Sequence, residues 1–314
     1  MNGTITNMDD YVVVIGAANI DIGGQPKNDL IARDSNPGSI SIGYGGVGRN
    51  IAHNLRLLGV PVKLISTVGE DALGRDLLEN CRNLGIDVSD VLIDTNATSS
   101  MYMYINDAQG DMALALCHVK IDSLLTPEYF ADKMQTINNA KCVVVDCNLS
   151  PEAFEYLAKN CTAPVFADPV SQTHAHKIGD NLGYIHTIKP NALEAEYLTD
   201  MTIRTAADAM SAARALIESG VERVFLSMDK DGILAADKNH MEVVPCCPTE
   251  MVCTTGAGDS SMAAIVWSYY NDVDDIVEVA KAANAVASLT IESVETINPL
   301  LNKQSIQNKI SEAY

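Results

Sequence analysis

Thr254-Thr255-Gly256-Ala257-Gly258-Asp259, running straight into the apolar segment Met262-Ala263-Ala264-Ile265-Val266-Trp267, reads as a tight turn that opens a buried helix. Small residues let the backbone turn sharply and approach a ligand. The first turn of a helix offers free N–H groups and the positive end of its dipole to an anion. A phosphoryl group suits such a place. Asp259 stands at its mouth, where a carboxylate can accept the proton of an alcohol as it attacks phosphorus. Alone, the string reads better as a glycine turn with an aspartate helix cap, so the rest of the chain decides its meaning.

Outward from this turn, short β-branched runs recur at Tyr11 to Ile15, Val62 to Thr67, Cys142 to Val145, Val165 to Ala167, Ile185 to Ile188 and Val224 to Ser227. Between them lie segments of helical period, such as Ile51, Leu55 and Leu58, or Ala209, Ala213, Leu216 and Ile217. Strands that alternate with helices predict an α/β fold of three layers, a mostly parallel central sheet covered on both faces. Ligands of such sheets bind beyond the carboxyl ends of the strands. Polar residues cluster there: Asn19 and Asp21, Asp146 and Asn148, Asp168, Lys189 and Asn191.

Two stretches, residues 20–44 and 98–117, break the alternation and show strand-like period instead, as in Ser39-Ile40-Ser41-Ile42 and Met101-Tyr102-Met103-Tyr104. Asn106 to Gly110 reads as a turn between strands. These stretches predict a small β-sheet lid, with residues 1–19, 45–97 and 118–314 forming the α/β core that binds nucleotide and substrate. A pair of surface hairpins would give the same pattern.

The chain has 314 residues, 41 acidic against 21 basic, for a formal net charge of -20. Such a surface repels nucleic acid polymers and anionic membranes, so neither is an expected partner, and an anionic ligand must be held by local features. No apolar run reaches the roughly eighteen residues of a membrane span. Asp9 and Asp10 stand where an export signal would be basic. The eight cysteines include no Cys-x-x-Cys pair, and several sit in apolar runs, so the cytosol is the expected compartment.

Gly43-Tyr44-Gly45-Gly46-Val47-Gly48 formally satisfies the dinucleotide fingerprint, with Glu70 downstream as a ribose contact. Its context argues against that reading. The fingerprint follows a buried apolar strand, whereas Ser39 to Tyr44 alternates polar with apolar. Close approach of the Gly45 to Asn50 backbone to a sugar is the better account, with Asn50 and Asp21 bonding paired hydroxyls. Lys189-Pro190-Asn191-Ala192-Leu193-Glu194 follows a strand and opens a helix. Asn191 and Glu194 share a helix face and can hold a hydrated Mg²⁺, or equally form a capping box. His174 and His176 read as loop histidines, and no zinc site is visible.

Together, Asn19-x-Asp21, Gly45 to Asn50, Asn191-x-x-Glu194 and Thr255 to Asp259 resemble, in order and spacing, the ribokinase-like (PfkB) carbohydrate and nucleoside kinases. The resemblance covers nearly the whole chain. It implies the ribokinase-like fold and transfer of the ATP γ-phosphoryl to a ribose 5′-hydroxyl, the acceptor being a C-nucleoside. On that analogy Asp259 is the catalytic base, and the N–H groups of Gly256, Ala257 and Gly258 form an anion hole. Asn19, Asp21, Gly45, Gly46 and Asn50 hold the ribose; Thr98, Ser99, Ser100 and Tyr102 read the base. Asn191 and Glu194 organise Mg²⁺ through water. Asn191, Ser227, Gly232, Thr255, Gly258 and Asn284 lie near ATP. The chain departs from the family at Asp229-Lys230-Asp231, ahead of Gly232. It departs again at Cys253, where ribokinases with a monovalent-cation site place an aspartate, so K⁺ would depend on backbone carbonyls. A ribose, hexose or purine nucleoside acceptor keeps the same fold, and an intact Asp259 argues against a non-catalytic binding protein. An exposed lid edge can pair with a second subunit, and dimers are common in the resembling family, so a homodimer through the lid is a partner the resemblance admits.

Overall fold

The computed structural model describes residues 10–119 and 121–314; residues 1–9, Asp9 among them, and residue 120 lie outside the described part of the predicted core. In chain order the strands are β1 (Val12–Ile15), β2 (Asn19–Pro26), β3 (Gly38–Gly45), β4 (Val62–Ile65), β5 (Thr67–Gly69), β6 (Leu92–Asp94), β7 (Met101–Asn106), β8 (Met112–His118), β9 (Cys142–Asp146), β10 (Val165–Asp168), β11 (Thr187–Ile188), β12 (Arg223–Ser227), β13 (Ile233–Asp237) and β14 (Met241–Val244). Eight of them form one sheet in the order β14-β13-β12-β11-β10-β9-β1-β4. From β12 to β4 every pairing is parallel, while β13 and β14 add antiparallel strands at one edge.

The central strands β1, β9 and β10 are apolar up to the aspartates that end β9 and β10, because both faces are covered. Val12 and Val14 pack with Leu64, Val144 and Phe166 against the helices Val47–Leu57, Ala257–Tyr270 and Ile276–Ile291. Val13 and Ile15 point the other way, with Val143, Val145 and Val165, against the helices Pro151–Asn160 and Ala206–Glu218. Successive residues of one strand thus feed two separate cores, which makes the three layers. The strand expected over 185–188 shrinks to Thr187–Ile188, squeezed between a 3₁₀ segment ending at Tyr184 and Pro190. His174 and His176 sit not in a loop but in the short helix Gln172–Ala175 and the turn after it, where each Nδ1 pairs locally, His174 with Ser171 Oγ and His176 with the Thr173 carbonyl. All eight cysteines are free thiols.

The two irregular stretches form a second sheet, ordered β3-β2-β7-β8, whose strands run one residue past the expected limits, to Asn19, Gly45 and His118. Cross-strand register sorts its residues into two faces. Ile42, Ile22, Met103 and Leu116 form one row, and Ile40, Gly24, Ile105 and Leu114 the next. The opposite face carries Asp21, Gly43, Tyr102 and Cys117. The apolar face starts in the core at Ile20 and runs out into solvent, where Ile40 is 78% exposed and Leu116 67%. β3 is therefore an antiparallel, solvent-facing strand. It lacks the buried parallel setting that a dinucleotide fingerprint requires.

Candidate active site

Beyond the carboxyl ends of β9 to β12 the helix Ala257–Tyr270 begins, with Gly256 as its N-cap at φ 85°, a left-handed conformation that suits glycine. No side chain caps that end. A Cβ at Gly256 would also stand 2.2 Å from the Thr296 carbonyl. Asp259 lies in the first turn of this helix. A cavity of about 790 Å³ opens beside it, lined by Ala257, Gly258, Asp259, Asp168, Lys189, Asn191, Glu194, Ser227, Gly232 and Asn284. Most of the residues expected near phosphoryl, metal and nucleotide thus share one space, Thr255 and Gly256 excepted.

Charge within this cavity is dense. Burial, together with the negative charge of Asp168, pushes the Asp259 carboxyl up to about 7, against the bond from Asn50 and the nearby Lys189 ammonium. Burial works against the Lys189 ammonium, yet Asp168, Glu194 and Asp259 hold its pKa above the ordinary lysine range. Its Nζ lies 3.6 Å from Asp168 Oδ2 and 3.6 Å from where a Cβ on Gly258 would be. Asp168 Oδ1 accepts from Val170 N at 2.9 Å and so pins Val170 at φ 68°, a costly conformation for a β-branched residue and one found at ligand-binding walls.

The residues expected to hold the sugar are brought together by close backbone packing. Asn19 Nδ2 donates to Asp21 Oδ1, and a Cβ on Gly45 would sit 2.1 Å from Asp21 Oδ2. Gly46 has φ 94° with its Cβ position 2.4 Å from the Ala17 carbonyl. Burial raises the Asp21 carboxyl to about 6, opposed by the Arg49 guanidinium. Arg49 is itself buried and donates to the Tyr44 carbonyl and to Asn80 Oδ1. Asn50 Nδ2 donates to Asp259 Oδ2 at 2.8 Å, which joins this wall to the cavity.

The remaining expected residues take varied places. Asn191 and Glu194 make a complete capping box: Glu194 Oε2 accepts from Asn191 N, Glu194 Oε1 from Asn191 Nδ2, and Asn191 Oδ1 from Glu194 N. Ser227 bridges to Asn191, which ties β12 to that cap. Gly232 follows a 3₁₀ turn made of Asp229, Lys230 and Asp231, at φ 96°, and a Cβ there would stand 2.1 Å from the Val244 carbonyl. Asn284 spends its amide on Val244 O and Pro245 O, so it braces the cavity wall. Thr255 is exposed and, like Gly256, does not line the cavity, while Ala257 N makes a long bond to Thr254 O. Thr98 Oγ1 meets His118 Nε2 at 3.2 Å, and Tyr102 donates to Met112 Sδ. The Ser100 carbonyl accepts from Ile20 N, and Ser99 is locked to Asp71. Lys189, Asp168, Asp146 and Arg49 carry no assigned role in the sequence, although a charge that ends a wholly apolar strand is the signal that marks Asp146 and Asp168.

A carboxylate that can take an alcohol proton, an open helix N-terminus and a nucleotide-sized cavity define a phosphotransferase acting on a hydroxyl group. The chain belongs to the pfkB family of carbohydrate kinases, whose family model matches residues 9–303. Among its relatives, the pseudouridine kinase of Escherichia coli K12 is 39% identical over 96% of this chain and 96% of its own length. The guanosine-inosine kinase of Exiguobacterium acetylicum is 28% identical over 90% of this chain and 95% of its own. Arabidopsis thaliana ribokinase, solved with ribose and ATP, superposes with a TM-score of 0.85 at 21% identity, covering 96% of this chain and 99% of that one, and so shares the ribokinase-like fold. ATP is the phosphoryl donor of this family, and a small sugar or nucleoside is the acceptor.

Proposed function

We propose that this chain transfers the γ-phosphoryl group of ATP to the ribose 5′-hydroxyl of pseudouridine, with Asp259 as general base. The observation that carries the chemistry is the Asn50–Asp259 hydrogen bond, by which the acceptor wall meets the phosphoryl pocket at a single carboxylate. The likeness to the Escherichia coli pseudouridine kinase supports the choice of acceptor. Asp259 takes the 5′-hydroxyl proton as the new O–P bond forms and the bond from γ-phosphorus to the ADP oxygen breaks. The Gly258 N–H and the Lys189 ammonium face the migrating group and offset its charge. Asp21 and Asn19 hold ribose hydroxyls against Gly45 and Gly46, while Thr98, Ser100 and Tyr102 bound the base. A C-glycosidic uracil offers one N–H more than uridine does, so one buried acceptor discriminates strongly.

The donor set suits a hydrated Mg²⁺. Each Glu194 oxygen already accepts one N–H and keeps a lone pair for a metal-bound water, and Asn191 Oδ1 stands beside them. Such an ion would neutralise phosphate charge when bound. Asp259 and Lys189 would do their work from the protein. K⁺ would depend on backbone oxygens, since Cys253 supplies no carboxylate. The small sheet serves as a lid, and its apolar face, more than its edge, is the surface through which two copies pair.

ADP release measured with pseudouridine, uridine, ribose, fructose and guanosine tests the reading. Pseudouridine should lead by kcat/KM, and Asp259→Asn should lose roughly 10²- to 10⁴-fold in turnover. Equal rates on uridine would reassign the acceptor to nucleosides in general; an unimpaired Asp259→Asn would remove the base. A purine nucleoside is the second reading, favoured by the guanosine-inosine kinase relative.

A further inference from the structure

Two helix N-termini converge on this site, and they are closed differently. The helix Ala257–Tyr270 has no side-chain cap and is open to a ligand anion. The helix Val47–Leu57 likewise has no cap of its own, because Gly46 occupies that position. Its end is nevertheless filled. Asp146, the last residue of β9, accepts from Gly48 N at 2.9 Å and from Ala17 N at 2.8 Å through Oδ2, and from Asn148 N at 2.9 Å through Oδ1. It is fully buried and receives three backbone N–H groups, an arrangement that only a carboxylate acting as acceptor satisfies throughout. Glycine at position 16 belongs to the same device, since a Cβ there would lie 2.2 Å from Asp146 Oδ2.

Asp146 thereby ties together the two segments that form the acceptor wall. Ala17 leads directly into Asn19 and Asp21; Gly48 leads directly into Asn50 and, through it, to Asp259. We propose that Asp146 is a positioning residue for the acceptor: its carboxylate caps the helix at Val47 from across the chain and fixes the spacing of Asp21 from Asn50. The sugar then meets a helix end whose charge is already met by a protein anion. The phosphoryl group is left to the other helix. This inference rests on the reading of residues 19–50 as the acceptor wall.

The test compares Asp146→Ala, Asp146→Asn and Asp21→Asn in the full chain, with KM for pseudouridine from steady-state rates and affinity for MgADP from calorimetry. Asp146→Ala should raise the pseudouridine KM roughly 10- to 100-fold, the usual effect of displaced binding groups. MgADP affinity should stay within about twofold. Asp146→Asn keeps one acceptor oxygen and should show the same split, several-fold weaker; it carries the comparison alone if the alanine variant does not fold. Loss of MgADP affinity in parallel with acceptor binding would reduce Asp146 to a general packing role and overturn the proposal. An unchanged KM in both Asp146 variants while Asp21→Asn raises it would overturn it too, with the acceptor wall intact. If Asp21→Asn also leaves KM unmoved, the wall itself is misassigned and the proposal goes with it.

Discussion

At the scale of single residues, the site collects carboxylates whose environment resists their ionisation. Asp259 rises from 3.8 to about 7 through burial and the neighbouring Asp168, and a base must be ionised to act. The kcat/KM for the acceptor should therefore climb as pH rises through about 7 and level off above it; a profile flat from about 5.5 to 8 would deny Asp259 the role of base. Stability has the opposite sign. A carboxyl whose folded pKa is raised contributes stability that is full below its unfolded pKa and lost as pH climbs through the folded value. Asp259→Asn should thus be more stable than the parent at pH 8, by about 0.5–2 kcal/mol, as for other relieved active-site residues. Thermal melts should show that gain shrinking as pH falls toward 5.

At the scale of elements, turns and caps do the positioning. The Cβ of a Gly45→Ala variant would collide with Asp21 Oδ2 and drive that carboxylate off the acceptor wall. Its KM for the nucleoside should rise about tenfold or more, with the KM for ATP hardly changed. Asn191→Ala dismantles the capping box and should cost about 1 kcal/mol of stability, seen in denaturant melts. The same variant should weaken MgATP, because Glu194 Oε1 would lose the Asn191 Nδ2 donor that helps to orient it, leaving only the backbone N–H on Oε2. The sequence offered the capping box and the metal site as alternatives. In the fold the cap is real, and it aims the carboxylate that would serve the metal.

At the scale of the whole molecule, the small sheet presents one polar and one apolar face. Leaving Ile42, Met103 and Leu116 of one row in water is costly, and burying them between two copies removes that cost. Sedimentation of the parent should show a dimer, and the double variant Ile42→Glu with Leu116→Glu should sediment as a monomer. A monomeric parent would reject the pairing. The charge of -20 adds a further condition, because ATP approaches an acidic protein. Among the described residues lining the cavity, the ammonium groups are those of Lys189 and Lys230, which gives a buried lysine beside Gly258 its importance.

Periodicity and motif order in the chain by themselves determined the alternating α/β core, the separate small sheet, and the strings around Asp21, Asn50, Asn191 and Asp259. These are local signals: apolar runs report burial on both faces, and glycines report close backbone approach. Only the tertiary structure decided which of these strings meet. Asn50 and Asp259 are 209 positions apart and touch because parallel strands deliver their carboxyl ends to one edge. The capping of the helix at Val47 by Asp146, 98 positions away from Gly48, is hidden from sequence for the same reason. A cap normally sits next to its helix, and nothing in the local pattern marks one supplied from a distant strand.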